Sequence, residues 1–286
     1  ALPSTSRRLP PAVGLRGGGA SMALPALPAL GLTAASFNLK TLFAASLVGS
    51  SIGFKSFVYF FSVGYGATMA LLGTLALTLG TNKSTLALLH AGGFLAYGLR
   101  LGIFLLLRER IPSQKKRITD REESATLSSK ASIWSFCGLL YPMMFCPAYC
   151  HSIATPAANL IPLVVAGLGV MWFGLILESV ADSQKMAAKA LSPDTFVSNG
   201  VWKFSRHANY LGEILFYVGN FVAGIAVFQK PSHWILAVGG TAGIINTMLS
   251  ATKRLEARQQ EQYGNDAAYK TYCDKTPSLL WAASYV

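Results

Sequence analysis

Two acidic residues at the end of a long apolar stretch are the first groups in this sequence that could do chemistry. Glu178 and Asp182 follow the apolar residues 157–177. Because they are four residues apart, they share one face of a helix. A carboxylate in an apolar segment usually faces a polar cavity or a partner, although a helix end close to water would also explain Glu178.

Two further clusters, the segments 199–213 and 253–272, combine basic, aromatic and amide side chains. Guanidinium groups such as those of Arg206 and Arg258 bind phosphates, and aromatic faces cover a flat ring. Asn, Glu and Tyr side chains can reach sugar hydroxyls or an amide. Together these are the groups that a dinucleotide requires, although His207 on its own would also fit a structural cap at the start of a helix.

The elements that must position these residues are membrane helices. Of 286 residues, 52% are hydrophobic and 13% are charged, against about 25% charged residues in soluble domains. A bilayer crossing needs about 20 mostly apolar residues. A shorter apolar stretch at 41–54 predicts an N-terminal interfacial or half-buried helix, with a seventh span as the alternative. The stretches long enough to cross lie at about 56–80, 84–107, 132–150, 157–180, 210–228 and 232–252. The predicted fold class is therefore all-α, a polytopic transmembrane bundle of six spans plus the short interfacial helix.

The charges predict the orientation of this bundle. No Asp or Glu precedes Glu109, and the net charge is +12. With six spans, only Lys83 and Lys230 fall on one side, while both termini and the loops rich in Lys and Arg fall on the other. By the positive-inside rule, that basic side faces the cytoplasm, stroma or matrix. Arg100 lies within a span and must therefore face a partner or a cavity. No stripe of cations and base-stacking aromatics predicts nucleic-acid binding, so membrane lipids are the expected partner.

Residues 1–40 form a separate region before the membrane domain 41–286. They are rich in Ala, Pro, Gly, Ser and Leu and contain no acids, a composition typical of targeting segments. Because ordering such a chain costs about 1 to 2 kcal/mol per residue, the alternative is a segment that binds other subunits of a membrane complex.

No metal site is predicted. Cys146, Cys150 and His151 lie one helical turn apart, but a metal would need two further ligands. His90, His151 and His233 are expected at span ends, where an interfacial position explains them, although an imidazole can also ligate a pigment magnesium.

Four ordered blocks within residues 56–280 resemble the steroid 5-alpha-reductase-like family, in its bacterial and plant branch, which is related to sterol reductases and isoprenylcysteine carboxyl methyltransferases. The blocks are 97–101, 178–184, 200–213 and 255–272. The resemblance implies NADPH as the cofactor and a lipid with a polarised double bond as the substrate. Hydride then goes to the carbon β to a carbonyl, and a tyrosine or an acid supplies the proton.

The resemblance also implies roles for individual residues. The candidate catalytic residues are Tyr59, Tyr65 and Glu178. The candidate cofactor-binding residues are Arg100, Asp182, Gln184, Trp202, Arg206, His207, Asn209, Tyr210, Glu213, Arg254, Glu256, Arg258, Tyr269 and Tyr272. The aromatic pair Phe216 and Tyr217 is expected to pack rather than to form a site.

The sequence departs from the family pattern at two points. Ala208 replaces the proline that usually follows the Arg-His pair, and the first predicted span offers only hydroxyl groups where steroid 5-alpha-reductases have a Gln/Glu pair. Three functions therefore stay open. The first is an NADPH-dependent reductase of an isoprenoid, sterol or other lipid. The second is a non-catalytic subunit of a photosynthetic complex that binds chlorophyll, carotenoid or lipid. The third is a methyltransferase that uses S-adenosylmethionine. A plastid or thylakoid membrane is the expected location, with the endoplasmic reticulum as the alternative.

Overall fold

A computed structural model describes residues 33–110 and 112–280, with the side chains of 112–117 excepted. These residues form α-helices joined by short 3₁₀ turns, and no strand occurs among them, so the predicted all-α class is confirmed. Residues 1–32 lie outside the described part, and with them most of the segment predicted to bind partners. The helices are α1 Leu39–Ser50, α2 Val63–Leu79, α3 Thr85–Arg108, α4 Pro112–Glu123, α5 Leu127–Ile153, α6 Ile161–Leu191, α7 Ala208–Ile225, α8 Pro231–Tyr263 and α9 Ala267–Lys275.

Local sequence signals explain where several helices begin. Side-chain oxygens of Asn38, Ser84 and Thr126 accept hydrogen bonds from backbone N–H groups in the first turns of α1, α3 and α5. Pro231 is the first residue of α8, a position at which a backbone N–H would have no acceptor within the helix, so the lack of this group in proline costs no hydrogen bond. Both α6 and α8 continue about three turns beyond their apolar parts. These polar extensions carry the acidic and basic residues of the site.

Four helical segments of the described chain are long and apolar enough to cross a membrane. They are Thr85–Arg108, Leu127–Ile153, Ala158–Leu191 and Pro231–Tyr263. These segments indicate an integral membrane protein. α1 and α2 are apolar but shorter, and α7 carries Asn209, Glu213 and Asn220 in its sequence.

Close contacts between glycines pack α7 against α6. A Cβ atom at Gly212 would lie 2.6 Å from the backbone nitrogen of Glu178 and 2.7 Å from the carbonyl oxygen of Gly174. Gly219 approaches Gly167 in the same way two turns later. The two helices are therefore antiparallel, and their backbones touch along most of α7. This contact fixes Glu178 next to the helix that carries Glu213.

We predict that Gly212→Ala destabilises the protein by about 1 to 3 kcal/mol, because the added methyl group must push two backbones apart. Gly169→Ala is the matched control, since a Cβ atom there meets nothing within 4 Å. Thermal unfolding of both variants in one detergent measures the difference. Equal unfolding temperatures for the two variants would contradict the proposed close packing.

The end of the bundle far from the acidic residues is held by a buried histidine pair. His90 Nδ1 lies 3.1 Å from His151 Nδ1, and His90 Nε2 lies 2.9 Å from Asn220 Oδ1. Asn220 donates its amide to the carbonyl of Met144, which orients Oδ1 as the acceptor. His90 therefore carries its proton on Nε2 when neutral, and His151 donates from Nδ1. Both residues are fully buried, and they lie near the start of α3 and the end of α5.

Candidate functional site

A cavity of about 240 Å³ lies inside the bundle and brings six of the candidate residues together. Its apolar walls come from α3, α5 and α8, and its polar side comes from α2, α6 and α7. This size accommodates a ring or a lipid head group but is below the usual range for a whole cofactor, which is roughly 300 to 1,000 Å³. The candidate residues that line it are Tyr65, Glu178, Asp182, Asn209, Tyr210 and Glu213.

Four buried residues form a hydrogen-bond network centred on the hydroxyl of Tyr65. This hydroxyl lies 2.6 Å from the hydroxyl of Tyr217 and 3.1 Å from that of Tyr97. It also donates to Glu213 Oε1 at 3.0 Å. Because a phenol has one proton, Tyr65 donates to Glu213 while Tyr97 and Tyr217 donate to the Tyr65 oxygen. Two donors directed at one phenol oxygen stabilise negative charge on it.

A second network joins Arg100 to the acidic pair of α6. Arg100 Nη2 lies 2.5 Å from Glu178 Oε1, and Arg100 Nη1 lies 2.6 Å from Asp182 Oδ2. The amide of Asn209 donates to the other oxygen of Asp182 at 3.3 Å. The predicted partner of the intramembrane Arg100 is thus the pair Glu178 and Asp182, which lies on one face of α6 as its spacing indicates. In this arrangement Arg100 neutralises part of the acidic charge of the cavity.

The mouth of the cavity carries positive charge. Arg108, the last residue of α3, lines the cavity and is exposed. The charges of Arg108 and Arg254 both act on the Tyr210 hydroxyl. Among the described residues neither arginine has a carboxylate within salt-bridge distance. The ring of Tyr210 stacks on that of His207, with centroids 5.9 Å apart and planes at 15°. The mouth thus combines a flat aromatic surface with cations that form no salt bridge in the described part of the chain.

Arg206 and His207, in contrast, bind the end of the chain. Arg206 Nε and Nη2 donate to the two oxygens of Glu256, at 3.2 and 2.6 Å. Arg206 Nη1 donates to the carbonyl oxygens of Cys273 and Thr276. His207 Nε2 lies 2.6 Å from Glu256 Oε1. We refer to these five residues as the C-terminal latch. The guanidinium of Arg206 is therefore occupied by protein groups.

The electrostatics of the latch follow from its burial. Burial by itself would lower the pKa of Arg206, but the hydrogen bonds and negative charge of Glu256 outweigh it and raise this pKa. Arg206 thus stays charged at every pH at which the protein is folded. Burial also raises the pKa of Tyr272, so its hydroxyl stays protonated and donates to the carbonyl oxygen of Trp202 at 2.7 Å.

An open surface groove of about 460 Å³ lies beside α9. It is lined by Phe196, Lys203, Tyr272 and Lys275 among others. The rings of Phe196 and Tyr272 stack with centroids 5.6 Å apart. This larger groove is less suited to chemistry than the cavity, because its lining contains no buried carboxylate or hydroxyl network that could act on a substrate.

The remaining candidate residues lie elsewhere in the described structure. The hydroxyl of Tyr59 donates to Glu109 at 2.8 Å, outside the cavity lining. Gln184 accepts from the backbone of Val201, and Trp202 Nε1 donates to the carbonyl of Ala181, so both join α6 to the following loop. Tyr269 is buried against Phe196, and Arg258 is exposed on α8.

Three residues of the site were not among the candidates: Tyr97, Arg108 and Tyr217. Spacing would have indicated two of them. Tyr217 lies four residues after Glu213, and Tyr97 lies three residues before Arg100, so each shares a helical face with a candidate residue. Tyr217 does pack, as expected, but its hydroxyl also belongs to the Tyr65 network.

The described residues provide no metal centre. No group of three or more His, Cys, Asp or Glu among them could hold a metal ion. Cys137, Cys146 and Cys150 are buried free thiols within α5.

The fold and the cavity define an integral membrane protein of α-helices that encloses a site of phenol and carboxylate groups. Residues 47–276 match the family described as protein of unknown function (DUF1295), and the chain belongs to this family. The family is generally associated with steroid 5-alpha-reductase-like proteins. No curated protein and no solved structure matches the chain.

Proposed function

We propose that this protein is an NADPH-dependent reductase that acts on a carbonyl-conjugated double bond of a membrane lipid. The observation that carries the proposal is the Tyr65 network at the polar side of an apolar cavity. Apolar walls suit the hydrocarbon part of a lipid, and a phenol supported by two other phenols suits a carbonyl oxygen on which charge develops. An isoprenoid or sterol enone has both parts.

The proposed chemistry of the chain centres on one proton. A substrate carbonyl oxygen replaces Glu213 as the acceptor of the Tyr65 proton. As negative charge grows on that oxygen, Tyr65 donates its proton to it, and the hydroxyls of Tyr97 and Tyr217 stabilise the phenolate that remains. The enol formed in this way tautomerises to the saturated ketone, losing its hydroxyl proton while the α carbon gains one. Glu213 then returns a proton from water to Tyr65. Glu213 therefore relays a proton from water to Tyr65, and the Tyr65 phenol is the acid.

The residues at the mouth fit a phosphate-bearing cofactor. Arg108 and Arg254 are cations that form no salt bridge among the described residues, and the stacked ring of Tyr210 offers a surface for a nicotinamide ring. When bound, NADPH would supply a hydride to the carbon β to the substrate carbonyl and leave as NADP⁺. Only its nicotinamide end suits a cavity of about 240 Å³, so its phosphates would bind outside, on the basic face.

The proposal includes six spans with both termini on the basic side. α2 lies against α3 through Gly66 and Gly98, and α7 lies against α6 through Gly212 and Gly174. Each short helix thus runs antiparallel to a helix that is long enough to cross. If α3 and α6 cross the membrane, the simplest topology is one in which α2 and α7, which pack against them, cross it as well. Labelling that puts residues 110–125 and 255–275 on opposite faces would contradict this topology.

The decisive experiment is a reductase assay with the purified protein in nanodiscs. NADPH oxidation should depend on added isoprenoid or steroid enone, and the saturated ketone should form in equal amount. If NADPH neither binds nor is oxidised, the proposal fails and the alternative becomes a non-catalytic subunit of a membrane complex. Copurification of the native protein with pigments or other subunits would support that alternative.

For the cofactor, we predict that Arg254→Ala weakens NADPH binding by about 10- to 100-fold, because a hydrogen bond to a charged group contributes about 1.5 to 3 kcal/mol. Lys230→Ala is the control, since this exposed lysine precedes α8, about 20 Å along the helix from the cavity residue Ile244. Fluorescence titration with NADPH measures both. Equal affinities for the two variants would remove Arg254 from the cofactor site.

A further inference from the structure

Two aromatic side chains of the cavity wall are also exposed on the outside of the bundle. Phe61 and Phe136 line the cavity, and they are 45% and 50% exposed. Other apolar lining residues, such as Leu140 and Ile244, are buried. A side chain that both lines a cavity and is exposed stands at the edge of an opening. In the described structure the cavity therefore opens along an apolar edge as well as along the charged edge at Arg108.

Hydrogen bonds hold the apolar edge in place. The carbonyl oxygen of Phe60 accepts a hydrogen bond from the hydroxyl of Tyr141 at 2.5 Å and lies 3.9 Å from Cys137 Sγ. Phe61 follows Phe60 in the chain, and Phe136 precedes Cys137. Both exposed rings therefore stand where the turn before α2 meets α5, and the edge is a fixed part of the fold.

The apolar edge faces the hydrocarbon of the membrane. Lys130 is the one Lys or Arg residue of α5, and Phe136 lies about 9 Å further along this helix. Leu139, three residues later, is 53% exposed, so it shares with Phe136 the face of α5 that contacts lipid. A hydrocarbon chain can thus pass from the cavity into the bilayer without entering water.

The size of the cavity limits what it can enclose. Its polar groups, Tyr65, Glu178 and Glu213, are buried, so a carbonyl that reaches Tyr65 must lie inside. The volume of about 240 Å³ is below the roughly 300 to 1,000 Å³ of pockets that enclose a drug-sized ligand. A head group fills this space, and the rest of the lipid must leave it. A flexible chain can bend toward the apolar edge, whereas a rigid fused-ring system cannot.

We infer that the substrate is a single-chain lipid that binds head group first, with its tail passing Phe61 and Phe136 into the bilayer. The inference rests on the proposed reduction at Tyr65 and narrows its substrate to an enone with a compact head group and a flexible chain. The two phenylalanines are then specificity-determining residues, because they line the path of the chain. Since the outer part of the tail contacts lipid in the free and the bound state alike, its length should not affect affinity.

The test compares cyclohexenones that carry a butyl, an octyl or a dodecyl chain with a rigid steroid enone, in phosphatidylcholine nanodiscs without NADPH. Binding is measured from the ligand dependence of thermal unfolding. Affinities are expressed per mole fraction of probe in the bilayer, which removes differences in partition. For the wild-type protein we expect the three chain probes to agree within about threefold and the steroid to bind at least about tenfold more weakly.

Widening the apolar edge should change this specificity. Phe61→Ala combined with Phe136→Ala should increase the affinity for the steroid about tenfold and change that for the chain probes little, because a wider opening admits a rigid ring system. Loss of folding cannot produce such a gain. Phe136→Leu, a milder change, should give a smaller gain. Phe173→Ala is the control, since Phe173 is 58% exposed on α6 and is not among the described residues that line the cavity.

The wild-type measurements alone can overturn the inference. A dodecyl probe that binds at least about tenfold more weakly than the butyl probe would indicate a closed cavity. A steroid that binds as tightly as the chain probes would exclude the proposed preference. A folded double variant without a gain for the steroid would overturn the role of the two phenylalanines.

NADPH oxidation is measured on the same samples, so the two proposals can fail separately. Oxidation without a preference for chain probes would overturn this inference alone. A preference for chain probes without NADPH binding would overturn the reductase and leave a lipid-binding protein.

Discussion

Tyr65→Phe should lower kcat by about 100- to 10,000-fold, the usual contribution of a positioned general acid. The substitution removes one oxygen atom and keeps the ring, which packs against Tyr97 and Tyr141. Lipid affinity should change little, because the apolar walls of the cavity are unaffected. The measurement is steady-state NADPH oxidation with an enone lipid, in which KM and kcat are determined separately.

Three further variants test whether the loss of activity is specific to the Tyr65 hydroxyl. Tyr149→Phe removes the same atom from a tyrosine that packs edge-on against Phe37 and does not line the cavity, so its kcat should equal that of the wild type. Tyr97→Phe and Tyr217→Phe should give smaller losses than Tyr65→Phe, since each removes one donor to the phenolate but leaves the acid in place. If Tyr65→Phe retains full activity, the proton must come from another group, and the proposed mechanism is wrong.

The sequence predicts the apolar helices well, because hydropathy marks each of them. Each predicted span overlaps a helix, and α3, at Thr85–Arg108, differs by one residue at each end from the expected 84–107. The sequence does not predict that α6 extends to Leu191, since hydropathy marks the end of the apolar part and not the end of the helix. The shared face of Glu178 and Asp182 followed from their spacing, and the cavity contains both residues.

The roles of the arginines could not be obtained in this way. A guanidinium that suits a phosphate also suits a carboxylate, and the sequence does not show which is closer. Glu256 lies 50 residues after Arg206, and only the return of the chain through α8 and α9 brings them together. The sequence does not predict the size of the cavity either, because that size depends on how closely the glycines allow α6 and α7 to approach each other.

The C-terminal latch gives the second large expected effect: Arg206→Ala should destabilise the protein by about 3 to 5 kcal/mol, the cost of breaking a buried ion pair by removing one partner. The side chains of Arg206 and Glu256 are 9% and 13% exposed. Without Arg206, Glu256 keeps only His207, and the carbonyls of Cys273 and Thr276 lose a donor. Thermal unfolding and proteolysis of residues 264–280 should both report the loss.

The comparison that decides the role of Arg206 is with Arg258→Ala, because Arg258 is exposed on α8, two residues after Glu256, and has no salt bridge among the described residues. Its loss should leave the stability within about 0.5 kcal/mol of the wild type. In a double-mutant cycle, Arg206→Ala combined with Glu256→Ala should cost less than the sum of the two single changes, since the pair shares one interaction. A folded Arg206→Ala protein with normal stability and weakened NADPH binding would instead return this arginine to the phosphate-binding role that its sequence motif implies.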